Sequence, residues 1–164
     1  MKKLFAIALM ILMLLPATVF AAIGTCVVTE NKIVVEGGVV GEGKHSKKTF
    51  TLACTGGTAG EAGTVSNVTL TANTVKGWYL YSGETNPGNG TPPTSLYDIV
   101  INDADGVDLA GGLLMNRSQT ATELVNIGTG AYGYPLITGD LTIVHSGNTV
   151  ISSTWTLIIT LVSE

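Results

Sequence analysis

The chain has 164 residues, with 8 basic and 12 acidic side chains and two cysteines. Charged residues make up 12% of it, against roughly 25% in ordinary soluble domains, and Thr, Ser, Asn and 21 glycines supply the polarity instead. No basic stripe is present, which excludes a nucleic-acid binder of the usual kind, and the mixture favours strands joined by glycine-rich turns over helices.

At the N-terminus, Lys2 and Lys3 precede an unbroken apolar run from Leu4 to Leu15. Pro16 ends that run, and Val19-Phe20-Ala21 offers a cleavage site after Ala21. This is the layout of a secretory signal peptide. A spanning helix wants ~20 apolar residues, so no membrane anchor is expected after cleavage. Ile23-Gly24-Thr25 before Cys26 does not make a lipobox. Residues 1–21 are therefore read as a signal and 22–164 as one domain, exported to the periplasm or beyond the cell. Without Lys2 and Lys3 that domain carries 6 basic against 12 acidic groups, a net charge of −6. In an oxidising compartment, Cys26 and Cys54 are expected to form a disulfide. The sequence shows no Cys-x-x-Cys, no zinc-type spacing and no histidine near them, so neither a metal nor a redox role is expected of them.

Along the chain, apolar and polar residues alternate with a period of two. Cys26-Val27-Val28 and Ile33-Val34-Val35 read as two short runs separated by a turn at Glu30-Asn31. In the next strand Phe50, Leu52 and Cys54 share one face, and Thr49, Thr51 and Ala53 share the other. Val65 to Ala72 alternates again, with Val68, Leu70 and Ala72 on one side. Trp78 and Leu80 oppose Tyr79 and Tyr81, so one of the neighbours Trp78 and Tyr79 should be buried and the other exposed. Glu84 to Ser95, with its prolines and Asn/Gly pairs, reads as a long exposed loop.

Tyr97 to Asn102 is then a strand with Tyr97, Ile99 and Ile101 inward. Asp103 to Gly106 is a tight turn, and Val107 and Leu109 begin the return strand. Residues 111–127 are the least legible, with Gln119 to Val125 a short helix or a further strand. Leu141, Ile143 and His145 mark a strand, Ser146-Gly147-Asn148 a turn, and Trp155, Leu157, Ile159 and Leu161 the final strand. Strands every ~8–12 residues predict an all-β fold: a single antiparallel β-sandwich, jelly-roll or immunoglobulin-like, with its strand order open.

Three groups of residues suggest chemistry. Asn102 to Asp108 places Asp103, Asp105 and Asp108 around a glycine, a weak echo of a calcium loop. Ile101 occupies a ligand position and the closing glutamate is missing, so a hairpin whose carboxylates bond backbone amides is the better reading. His45 and His145 are the two histidines, but no nucleophile elbow, metalloprotease helix or phosphate loop accompanies them, and neither an enzyme nor a cofactor is expected. Tyr79, Tyr81 and Tyr132 are candidates for a sugar-stacking surface, with Asn86 and Asn89 as exposed polar contacts.

From Thr49 onward the chain resembles a family of small phage- and prophage-encoded proteins found among virion structural genes. The residues carrying the resemblance are Gly77-Trp78-Tyr79-Leu80-Tyr81, Glu84-Thr85-Asn86-Pro87-Gly88, Pro93-Thr94 before Tyr97-Asp98-Ile99, and Asn102 to Leu109 with Gly111-Gly112. Asn116-Arg117-Ser118, Gly139-Asp140-Leu141-Thr142 and Ser146-Gly147-Asn148 complete it. The resemblance implies a non-enzymatic all-β particle component acting through self-association or through other virion or surface proteins. Such proteins usually lack a signal peptide, which this chain has. The alternatives are a secreted module that binds a cell-surface glycan or receptor, and a fimbrial-type subunit, for which an apolar final strand exchanged between subunits would be the mark.

Overall fold

The structure, a computed structural model, describes residues 21–35, 45–58, 61–128 and 133–163. The expected signal segment up to residue 20, and Tyr132, lie outside the described residues. The elements in chain order are β1 (Thr25–Val35), β2 (His45–Thr55), β3 (Val68–Leu70), a single helical turn α1 (Ala72–Val75), β4 (Tyr79–Pro87), β5 (Asp98–Asn102), β6 (Glu123–Asn126), β7 (Leu141–Ser146) and β8 (Thr154–Val162). The chain is all-β. A five-stranded sheet runs β1-β2-β8-β4-β6, a three-stranded sheet runs β3-β7-β5, and every pair of named strands is antiparallel.

Period-two alternation explains what each sheet buries. Trp155, Leu157, Ile159 and Leu161 of β8 and Phe50, Leu52 and Cys54 of β2 are at most 2% exposed. In the smaller sheet, Ile99 and Ile101 of β5 and Leu141 and Ile143 of β7 are fully buried. Both sets belong to one hydrophobic cluster. Each such side chain contributes about 1.5–3 kcal/mol by leaving water. The Trp155 ring lies 5.9 Å from Tyr97 and 5.6 Å from His145, so residues of the two sheets touch. Gly83 allows one close approach: a Cβ there would meet the Leu114 side chain at 2.8 Å.

Four expectations change. Glu30-Asn31 is not a turn: β1 runs unbroken and pairs with β2 at every position from Thr25↔Thr55 to Val35↔His45. Neither residue is Gly or Pro, and eleven paired residues outweigh a weak local turn preference. The Val65–Ala72 strand shrinks to β3, because the Asp140 carboxylate accepts the Ala72 amide and starts α1. The long loop begins only after Pro87, since Glu84 to Pro87 continue β4 against Ile158 to Trp155, with Thr85 fully buried. Proline is tolerated at such a strand end. No return strand follows the Asp103–Gly106 turn beyond an Asn102↔Asp108 bridge. The Asp108 carboxylate accepts the amides of Ile101, Ala110 and Gly112 and sends the chain into successive turns.

The remaining strand and turn assignments hold in outline, and the burial expected at Trp78 and Tyr79 is a fifth change. Gly106, at φ +82°, closes the Asp103 turn, and residues 123–126 supply β6. Trp78 and Tyr79 are both half-buried, so neither takes the fully buried place. A register shift between Leu80 and Ser82 breaks strict alternation just beyond them.

Candidate functional site

The four sheet edges differ sharply. β3 and β6 are three and four residues long. β5 is covered along its outer side, where Ile99 and Arg117 donate to Leu114 and Tyr97 carbonyls and Leu109 donates to Ile101. Short or covered edges are how native sheets avoid pairing with other chains. β1 is neither: it is eleven residues long, contains no proline, and its register with β2 has no bulge.

The direction of β1's backbone groups follows from its pairing. Cys26 and Cys54 face each other with Cα atoms 4.0 Å apart, the spacing of a narrow pair that exchanges no ladder bonds. The amide and carbonyl of Cys26 therefore point away from β2. So do those of Val28, Glu30, Lys32 and Val34, two residues apart each time. Gly24 obeys the same rule, donating to Thr64 and accepting from Ser66. Beyond Gly24, and among the described residues, no strand pairs with this side of β1.

Its side chains are open as well. Val27 is 69% exposed, Ile33 51% and Val28 39%, with Ile23 exposed just before the strand. β1 thus offers water both faces and one backbone edge.

Two clusters hold this strand to the protein. At its start the Cys26–Cys54 disulfide ties it to β2. The His145 Nε2 lies 3.8 Å from Cys26 Sγ and 4.0 Å from Cys54 Sγ, and the ring meets Trp155 edge-on at 5.6 Å. His145 Nδ1 is sealed from solvent without a partner, and burial pushes the imidazole pKa down to about 4. The histidine absent near the cysteines in sequence is thus supplied by the fold: Cys26, Cys54 and His145 lie within 4.8 Å of one another. Both sulfurs are committed to the disulfide, so they offer no thiolate to a metal.

Further along, the nearly buried Lys48 bonds Glu30 of β1 at 2.9 Å and the Thr74 carbonyl at 2.6 Å. Its ammonium lies 5.0 Å from the Trp78 ring centroid, and that of Lys32 5.7 Å. These contacts tie β1 to β2 and Trp78 while Val28, Glu30 and Lys32 stay exposed, and among the described residues they leave its edge free.

The other expected site residues do not converge. Tyr79 and Tyr81 are half-buried in β4 and Tyr81 packs on Tyr134 at 4.9 Å, while Asn86 and Asn89 are exposed. Asp103 Oδ1 accepts the amides of Asp105 and Val107, and the Asp108 carboxylate accepts those of Ala110 and Gly112, so these two carboxylates brace the turn. Asp105 is exposed. His145 contacts sulfur and indole, and neither nitrogen bonds a hydroxyl or carboxylate among the described residues. The side chain of His45 lies outside the described residues.

The sequence held signals for what was missed. Val27 and Val28 are adjacent and apolar, which no half-buried strand needs, and His145 continues the inward series Leu141, Ile143. Compared with known proteins, the chain matches no family model, no curated protein and no solved structure.

Proposed function

We propose that the chain is an exported, non-enzymatic subunit that acts by assembly, a particle or surface component of the kind its phage-family resemblance implies. The observation that carries this reading is the open edge of β1, with Val27, Val28 and Ile33 exposed beside it. A long unpaired edge beside exposed valines puts a monomer at risk of aggregation, which Glu30 and Lys32 only partly offset; a subunit uses it. The disulfide is compatible with export. We further read the two sheets as the halves of one sandwich, supported by the shared hydrophobic cluster and the Trp155 contacts to Tyr97 and His145.

Exchange of the final strand, the mark expected of a fimbrial subunit, has no support in this arrangement. β8 lies between β2 and β4 and pairs with both. A glycan- or receptor-binding module is the second reading, favoured by the partly exposed Tyr81–Tyr134 pair. The test is quantitative mass spectrometry of gradient-purified particles from the source culture beside its periplasmic fraction. Many copies per particle, beginning at Ala22, are expected. Recovery only as free soluble protein would overturn the assembly reading, and glycan-array binding lost in Tyr81→Ala would replace it.

A further inference from the structure

Resting on the assembly reading, we infer that the occupant of the β1 edge is β1 of a second copy, paired antiparallel about a two-fold axis through Asn31. The inference comes from parity and charge. Outward-pointing backbone groups belong to Cys26, Val28, Glu30, Lys32 and Val34. Antiparallel bonding requires such residues to face one another, so the symmetry axis must pass through a residue and not between two. The centres along the exposed stretch can then be compared one by one.

An axis through Glu30 sets Glu30 against its own copy, and an axis through Lys32 sets lysine against lysine. Directly opposed like charges destabilise a pair of strands. An axis through Thr29 leaves Glu30 facing Val28 and Lys32 facing Cys26. Only the axis through Asn31 sets each Glu30 against Lys32 of the second copy, twice by symmetry. It also brings four of the five outward-pointing residues into register, Val28 with Val34 and Glu30 with Lys32, for about eight new backbone bonds.

The outer face agrees. Thr29 meets Ile33 of the second copy there, covering an apolar side chain that is otherwise 51% exposed. Each partner contributes the same patch, as a two-fold interface demands. The two five-stranded sheets would become one continuous ten-stranded sheet. Lys32, an edge-protecting charge in the monomer, becomes a register-setting charge in the pair.

Cysteine placement tests this register. Asn31 lies on the axis in a narrow pair, where opposed Cβ atoms come within disulfide reach. Asn31→Cys in the oxidised protein is expected to give a disulfide-linked dimer carrying most of the chain, with the 31–31 link confirmed by peptide mass mapping. Thr29→Cys and Ile33→Cys should each stay unlinked alone but link when mixed. Lys32→Glu should lower the dimer fraction at least tenfold, and Lys32→Arg should keep it.

Assembly in sedimentation without 31–31 linkage, or undiminished by Lys32→Glu, overturns the register and leaves the assembly reading standing. A chain that sediments as a monomer at every concentration overturns both.

Discussion

Two strands flank β2, and they have opposite fates. β8, on one side, pairs along both edges and buries Trp155, Leu157, Ile159 and Leu161. β1, on the other, pairs along one edge and leaves Val27, Val28 and Ile33 in water. Both are rich in β-branched and aliphatic residues, so composition does not separate them. Patterning does so in part: β8 has an apolar residue at every inward position from Trp155 to Leu161 and threonine at three of its other five, whereas β1 is apolar on both faces over Val27-Val28 and Ile33-Val34-Val35 and carries Glu30 and Lys32 between them. A strand buried on one face needs alternation. A strand apolar on both faces needs a second cover, and within the described residues β1 has none. The contrast separates a strand that holds the fold from one that is presented by it.

Substitutions break the contrast most strongly in β8. Trp155→Ala should cost about 3–5 kcal/mol in denaturant unfolding, because the cavity lies where Tyr97 and His145 converge. Loss of the disulfide comes next. Replacing both cysteines by serine should cost about 2–4 kcal/mol, and hydrogen exchange should quicken first along β1, which depends on that link, and last in β8.

The His145 contact gives a pH effect of similar or smaller size. Its pKa is about 4 when folded against 6.5 unfolded. The unfolded chain therefore binds the proton more readily, and folding stability is complete above pH 6.5 and falls as pH drops towards 4. The loss should reach at most about 3 kcal/mol. His145→Phe should flatten that part of the pH–stability curve. The smallest effect is the most telling: Val27→Thr should change monomer stability by less than about 0.5 kcal/mol while lowering self-association measurably by sedimentation. A stability loss as large as that of a β8 substitution would show that β1 is core after all.

Much of the architecture was legible because period two is a strong signal. The inward sets Phe50-Leu52-Cys54, Tyr97-Ile99-Ile101 and Trp155 to Leu161 are buried as the alternation predicts, and the cysteines pair. What was illegible depended on residues distant in sequence. Asp140 ends β3 from the far side of the chain, β8 recruits Glu84 to Pro87 into β4, and His145 reaches Cys26 across 119 positions. The open edge was hidden for the same reason: strand order, which decides which strand lies outermost, is not written in alternation. The aromatic and asparagine candidates rest on residue type alone, and type does not specify convergence.

The most direct test of an open, self-pairing β1 is amide hydrogen exchange measured residue by residue at low and high protein concentration. The account predicts a parity pattern. Val27, Thr29, Asn31 and Ile33, bonded to β2, should be protected at both concentrations. Val28, Glu30 and Lys32 should exchange fast when dilute and become protected when concentrated. Fast exchange of those three at every concentration, in a chain otherwise well protected, would contradict it.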